Sequence, residues 1–336
     1  MRHARPRPLT NAMPLTTRRA LAAALMTASG FACYWTYLTL NQDRLLFDAR
    51  RRPPRDLPDG IIGYSHVIPG GVVRGYIYHA PGDAVRDLLF YLPGRGEDVL
   101  ETLQYARWLP AGMGFATYDY RGLGHSDGRP SESAAVADAS QFLLHVRRVF
   151  PDTRVHVVGR SLGTGVAIQL ADLQDFESLQ LITPYDSLLE LVRKRFPLVP
   201  LRQLMRHHFD SIAHCKKVVQ STKVLLAATD EVVPHACSER LMAAWPGPVA
   251  LQTMPDTDHF TIIEREETWL SLCEFARQHS LARLRAAAVE PEPPPPHPTQ
   301  DPTQNPPPRP VPPDAPAPLP VDHDELGNPL PLAASR

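Results

Sequence analysis

From residue 61 to residue 284 the chain alternates strand-length apolar runs with helix-length segments, and this alternation restricts it to few architectures. Residues 64–67 and 72–78, joined through Pro69-Gly70-Gly71, read as an antiparallel hairpin. Strands are then expected at 87–92, 114–118, 154–158, 179–182, 223–228 and 249–254. Helices are expected at 98–109, 132–150, 162–173 and 261–284. Strands spaced by helices imply an α/β class with a mostly parallel central sheet and helices on both faces. The stretch 185–219 breaks the rhythm with two or three short amphipathic pieces and reads as an insertion; near strand ends, such insertions become lids.

Both ends of the 336-residue chain differ from this middle. Residues 291–336 hold 18 of its 37 prolines and read as a disordered, solvated, partly polyproline-II tail acting as a spacer. Residues 1–19 are basic, with Arg2, Arg5, Arg7, Arg18 and Arg19 and no acid. The run 20–42 then carries no charge for 23 residues, long enough to span a bilayer, and holds Tyr34, Trp35 and Tyr37 near its end. The leading expectation is a single-pass transmembrane signal anchor. A cleaved export signal, through Arg18-Arg19 or a lipid-modified Cys33, and a buried globular helix are the alternatives. Arginines balance across the run, with Arg44, Arg50, Arg51, Arg52 and Arg55 following it. A short basic N-terminus that stays in the cytoplasm would put the domain at 43–290 on the non-cytoplasmic, periplasmic or extracellular side.

A net charge of −1 leaves no basic field for a phosphate backbone, so nucleic acid is not expected as a partner. Four cysteines at 33, 215, 237 and 273 form no Cys-x-x-Cys pair, which excludes a zinc ribbon, a redox dithiol and a disulfide-stapled scaffold. His207, His208 and His214 cluster in the insertion without ligand spacing, so no metal site is expected.

Chemistry concentrates at Gly159-Arg160-Ser161-Leu162-Gly163, which follows the apolar run 155–158 and opens a helical pattern. This context makes it a nucleophile elbow: a sharp turn lifts the serine hydroxyl above the sheet, and the helix N-terminus offers amides to a developing oxyanion. The serine needs a base, and His259 follows the last expected strand in Pro255-Asp256-Thr257-Asp258-His259-Phe260. Asp230 lies just past the strand at 223–228 and is the expected acid, with helix capping as its ordinary role. Asp186 also follows a strand and is the competing carboxylate; capping of the helical run behind it would suffice to explain it. Serine, acid and histidine stand in the order this architecture requires.

Residues 42–284 resemble the α/β-hydrolase superfamily and, within it, membrane-anchored ABHD-type serine hydrolases. The resemblance rests on 42–47, on 119–128 with Pro130-Ser131-Glu132, on Thr183-Pro184-Tyr185-Asp186-Ser187, and on Asp230 with Val233-Pro234. Where the family has His-Gly after a strand, this chain has Pro93-Gly94-Arg95-Gly96. The resemblance implies an α/β-hydrolase fold with a short lid, and an oxyanion hole made by the amides of Arg95 and Leu162, with Gly96 open as a substitute for Arg95. Arg121 is read as a charge bracing its loop, and Arg95 and Arg160 as solvated surface arginines. The implied activity is cleavage of an ester, thioester or amide of a small-molecule, lipid or acylated substrate through an acyl-enzyme: Ser161 attacks, His259 moves the proton, and Asp230 holds the imidazole. No cofactor is implied. A serine peptidase of the same fold and a non-catalytic ligand-binding or scaffold protein remain the alternatives.

Overall fold

The computed structural model describes residues 13–53, 55–79 and 84–289, with side chains as far as Ser280. The tail expected at 291–336 and the start of the basic segment, 1–12, lie outside the described residues.

Eight strands form one sheet in the order β1-β2-β4-β3-β5-β6-β7-β8. The hairpin of β1 (Ile61–Ile68) and β2 (Gly71–His79) turns at Pro69-Gly70 and pairs antiparallel with β4 (Met113–Tyr118). From β4 onward every pairing is parallel, through β3 (Asp87–Leu92), β5 (Arg154–Arg160), β6 (Ser178–Ile182), β7 (Ser221–Thr229) and β8 (Val249–Asp258). Because β3 sits between β4 and β5, the chain reverses its direction of travel across the sheet there, and the loops after β3 and β5 meet at that crevice.

The parallel strands are apolar on both faces because both are covered. Leu88, Phe90, Leu92, Val157 and Leu181 join one core with α3 (Glu132–Val149) and α4 (Leu162–Leu173). Their neighbours Leu89, Tyr91, Val158, Ile182 and Leu225 join another around Trp269 of α9 (Glu266–Val289). The period of two is the pleat itself. Where one helix is expected at 98–109, α2 (Val99–Thr102) gives way to a 3-10 helix, Leu103–Trp108. Tyr105 stacks there on Trp108 and Trp269, with ring centroids 5.2 and 5.6 Å away. The helix expected to start at residue 261 likewise begins as a 3-10 turn, Thr261–Glu264, before α9.

The anchor expected at 20–42 is corrected by the structure. These residues belong to α1 (Leu15–Phe47), a 33-residue helix, yet among the described residues no helix is long and apolar enough to cross a membrane. Thr27, Ser29, Thr36, Thr39, Asn41 and Gln42 dilute the run, and alanine contributes little hydropathy. Its last turns also belong to the domain. Gln42 is buried: its Nε2 donates to the Leu204 carbonyl at 3.1 Å and its Oε1 accepts from the Arg206 amide at 2.6 Å. Asp43 Oδ1 lies 2.9 Å from His207 Nε2, and Phe47 is fully buried among Tyr120, His207 and Phe209. The expected single-pass localisation, with the domain on the non-cytoplasmic side, is overturned by the same finding.

The stretch 185–219 holds α5 (Leu188–Arg195), α6 (Leu201–Leu204) and α7 (Ser211–Cys215). Its 204–207 segment is the partner of Gln42 and Asp43, so α1 and this insertion form one structure above the strand ends. A further helix, α8 (His235–Ala243), follows β7.

Candidate active site

Ser161 sits between β5 and α4 at φ +47°, ψ −116°, a backbone conformation rare for a residue with a side chain. Such geometry stores roughly 1–3 kcal/mol and persists only where the surroundings enforce it. Here the Ser161 amide donates to the Ile182 carbonyl at 3.0 Å, and Thr164 Oγ1 donates to the Ser161 carbonyl at 2.6 Å. The flanking glycines make the turn possible. A Cβ on Gly159 would lie 2.6 Å from the Gly163 carbonyl oxygen, and one on Gly163 would lie 2.1 Å from that of Leu92.

Asp230 and His259 reach the elbow from the ends of β7 and β8, where a register shift between Ala227 and Thr229 bends the pair. His259 Nδ1 lies 2.8 Å from Asp230 Oδ2, and His259 Nε2 lies 2.9 Å from Ser161 Oγ. A carboxylate only accepts, so Nδ1 carries the ring proton and Nε2 is left to accept from the serine hydroxyl. The other carboxylate oxygen, Oδ1, accepts the amides of Val232 and Val233 at 2.9 and 2.7 Å. Asp230 therefore braces its own turn and faces the imidazole at once. The side chains of His259 and Asp230 are 6% and 2% exposed, which strengthens both contacts relative to water.

Asp186, the competing carboxylate, points elsewhere. Its Oδ2 accepts from Arg240 Nε of α8 at 2.7 Å and lies 2.6 Å from Nη2 of the same guanidinium. It does not cap α5, whose N-cap is Ser187, so the capping role expected for it gives way to an ion pair between the buried Asp186 and the half-exposed Arg240.

The loop after β3 lies against the elbow: a Cβ on Gly94 would be 3.5 Å from Ser161 Cβ. Gly96 donates its amide to the Phe47 carbonyl at 3.1 Å, which removes it as the substitute for Arg95. Arg95, Ser161 and Leu162 line one cavity of about 580 Å³, which Tyr34, Tyr37 and Leu45 of α1 and Leu188, Leu191 and Phe196 of α5 and its C-cap help enclose. Arg95 itself is half exposed, with Nε donating to the Leu45 carbonyl at 3.0 Å.

Arg160 departs from expectation. It is 6% exposed, with Nη1 2.9 Å from Glu97 Oε2 and Nη2 3.0 Å from the His259 carbonyl. Burial works against its charge, but Glu97, with Tyr91 and Tyr105, outweighs it, so the guanidinium stays charged. Glu97, one residue past the loop singled out in the sequence, was not identified there. The acid directly behind a Gly-rich loop, together with an arginine ending an apolar strand, is the signal that would have paired them.

The remaining candidates have structural partners. Arg121 forks onto Asp138 of α3 with both contacts at 2.7 Å, bracing its loop as expected. His207 pairs with Asp43, His208 with the Met205 carbonyl and His214 with Asp172. Among the described residues no cluster of His, Cys, Asp or Glu could hold a metal ion. Cys215, Cys237 and Cys273 are buried free thiols, and burial pushes the Cys273 thiol up to about 12.

Comparison with known proteins agrees with this architecture. The sequence family described as Serine aminopeptidase, S33 matches residues 83–183, a span that includes Ser161 and ends before Asp230 and His259. An uncharacterized protein of Mycobacterium tuberculosis is 35% identical over 150 residues, covering 44% of this chain and 53% of that protein. The chain thus spans about half the length of that relative. Lysophosphatidylserine lipase ABHD12 of Gallus gallus is 42% identical over 59 residues, 18% of this chain and 16% of the lipase. Among solved structures, a cold-adapted esterase from an Arctic intertidal metagenomic library matches with a TM-score of 0.50 at 15% identity, covering 68% of this chain and 98% of the esterase. The strand order and these matches give the chain the α/β-hydrolase fold.

Proposed function

We propose that the protein is a serine hydrolase that cleaves acyl bonds, esters foremost, through a covalent acyl-enzyme. The observation that carries this reading is the hydrogen-bonded chain Asp230–His259–Ser161 opening onto a largely aliphatic cavity. Ser161 Oγ attacks the carbonyl while His259 Nε2 takes its proton, and the same proton later goes to the leaving alcohol. Asp230 fixes the tautomer and stabilises the imidazolium. The amides of Leu162, at the start of α4, and of Arg95 are the donors for the oxyanion, where the positive end of the helix adds to the field. Water then repeats the sequence on the acyl-enzyme, and the scheme uses no cofactor.

The cavity supports an acyl chain over a peptide. Leu188, Leu191, Val192, Phe196, Val199 and Met205 offer contact area but few hydrogen bonds, whereas a bound peptide backbone needs partners for its amides and carbonyls. The stretch 185–219 serves in this reading as the lid, with α1 as the facing wall. A relative named as a lysophosphatidylserine lipase points the same way, and the description Serine aminopeptidase, S33 keeps amide cleavage as the second reading. A purely binding protein would leave the strained backbone of Ser161 without a use.

The test is a substrate panel: p-nitrophenyl esters of two to sixteen carbons, matching thioesters, and aminoacyl and peptidyl p-nitroanilides. The reading expects kcat/KM to rise with chain length until the cavity is full. Faster turnover of the anilides than of any ester would replace it with the peptidase reading.

A further inference from the structure

Glu97 and Arg160 lie where three of the site's loops meet, those after β3, β5 and β8. The Glu97 carboxylate is 7% exposed and fully engaged. Its Oε1 accepts from Tyr91 Oη at 2.7 Å and Thr102 Oγ1 at 2.6 Å; its Oε2 accepts from the Gly94 amide at 2.8 Å and Arg160 Nη1 at 2.9 Å. Gly94 belongs to the loop that carries Arg95. Arg160 immediately precedes Ser161, and its Nη2 holds the carbonyl of His259 itself. A Cβ at Gly94 would come within 3.0 Å of Arg160 Nη1, so that loop lies flat on the guanidinium.

We infer that Glu97 and Arg160 act as a positioning pair that sets the oxyanion loop and the His259 backbone in register with Ser161. The inference rests on the serine-hydrolase reading of the same site. Neither side chain touches the reacting atoms; both act through the backbone of residues that do. A buried ion pair contributes little net stability against well-packed apolar residues of the same volume, because desolvation offsets the attraction. Its Nε, moreover, is buried without a hydrogen-bond partner among the described residues. Geometry accounts better for the pair than stability does: a guanidinium has two parallel donor directions, and here one goes to the oxyanion loop's anchor and the other to the histidine. Lysine supplies the charge without the fork.

The full chain carrying Arg160→Met, Arg160→Lys or Glu97→Gln tests this, with p-nitrophenyl ester kinetics, fluorophosphonate labelling rates and thermal melting measured on each. Displacing reacting groups by about 1 Å lowers turnover on the order of 100-fold. Arg160→Met is therefore expected to lose kcat on that scale with KM within about twofold of the parent, and Arg160→Lys to fall between the two. Glu97→Gln preserves shape and carries the test if Arg160→Met fails to fold; a fall in kcat without a change in KM is expected for it too. Asp138→Asn, which breaks the Arg121 ion pair away from the site, is the control that should lower the melting temperature and leave kcat unchanged. Folded variants with parental kcat and labelling rates would overturn the positioning role alone. A parent chain inert to both esters and fluorophosphonate would overturn the catalytic reading, and this role with it.

Discussion

His259 and Asp230 are joined at 2.8 Å from β8 to β7 across 29 residues of sequence, while the second oxygen of the same carboxylate is fixed by two amides of its own turn. The carboxylate cannot rotate away from the ring without giving up both. Asp186 faces a different partner, Arg240, through Oδ2 alone.

The two carboxylates therefore separate by experiment. Asp230→Asn should lower kcat by about four orders of magnitude, because an amide in that place favours the wrong imidazole tautomer. Asp186→Asn should keep most activity and lose roughly 1–3 kcal/mol of stability as Arg240 loses its charged partner. Ester kinetics and urea unfolding on both variants check this; an inactive but stable Asp186→Asn would exchange the two roles.

The two halves of α1 should respond differently to truncation of side chains. Phe47 is fully buried against three rings, so Phe47→Ala should cost about 3–5 kcal/mol. Leu25 is 59% exposed, and Leu25→Ala should stay within about 0.5 kcal/mol of the parent. Chemical denaturation decides; a harmless Phe47→Ala would mean that α1 does not belong to the domain.

Acid sensitivity is expected to concentrate at the opposite end of the sheet from Ser161. Burial alone would raise the Asp87 carboxyl, but hydrogen bonds from His156, Arg154 and Ser280 outweigh it and hold it well below the usual carboxylate range. With the folded value depressed, its contribution is fully present above the unfolded value near about 4 and is lost as pH falls through the folded value. Asp87→Asn should thus be less stable than the parent at pH 6, and the gap should narrow progressively as pH falls below about 4. Urea midpoints across that range measure it; a constant gap would show that ionisation of Asp87 contributes nothing.

Local periodicity carried the sheet and helices, because alternation at Leu88–Leu92 or Val155–Val158 directly reflects two covered faces. The elbow was legible for a related reason: Gly159 and Gly163 meet backbone where any Cβ would clash, and that requirement is local. What escaped was set by distance along the chain. Arg160 reads as a surface arginine until Glu97, 63 residues earlier, and His259, 99 residues later, close around it. The run 20–42 reads as a membrane span because a window of apolar residues says nothing of Leu204, 162 positions from Gln42. The split of the helix expected at 98–109 likewise follows from Trp269, which draws Tyr105 onto its ring from another part of the sequence.

The most direct measurement of the central claim is fluorophosphonate labelling of the full chain beside Ser161→Ala, with ester turnover followed in parallel. The serine hydroxyl contributes little packing at this half-buried turn, so the variant should fold and melt like the parent. The account predicts labelling and turnover in the parent and neither in Ser161→Ala. Equal labelling and turnover in the two proteins would contradict it.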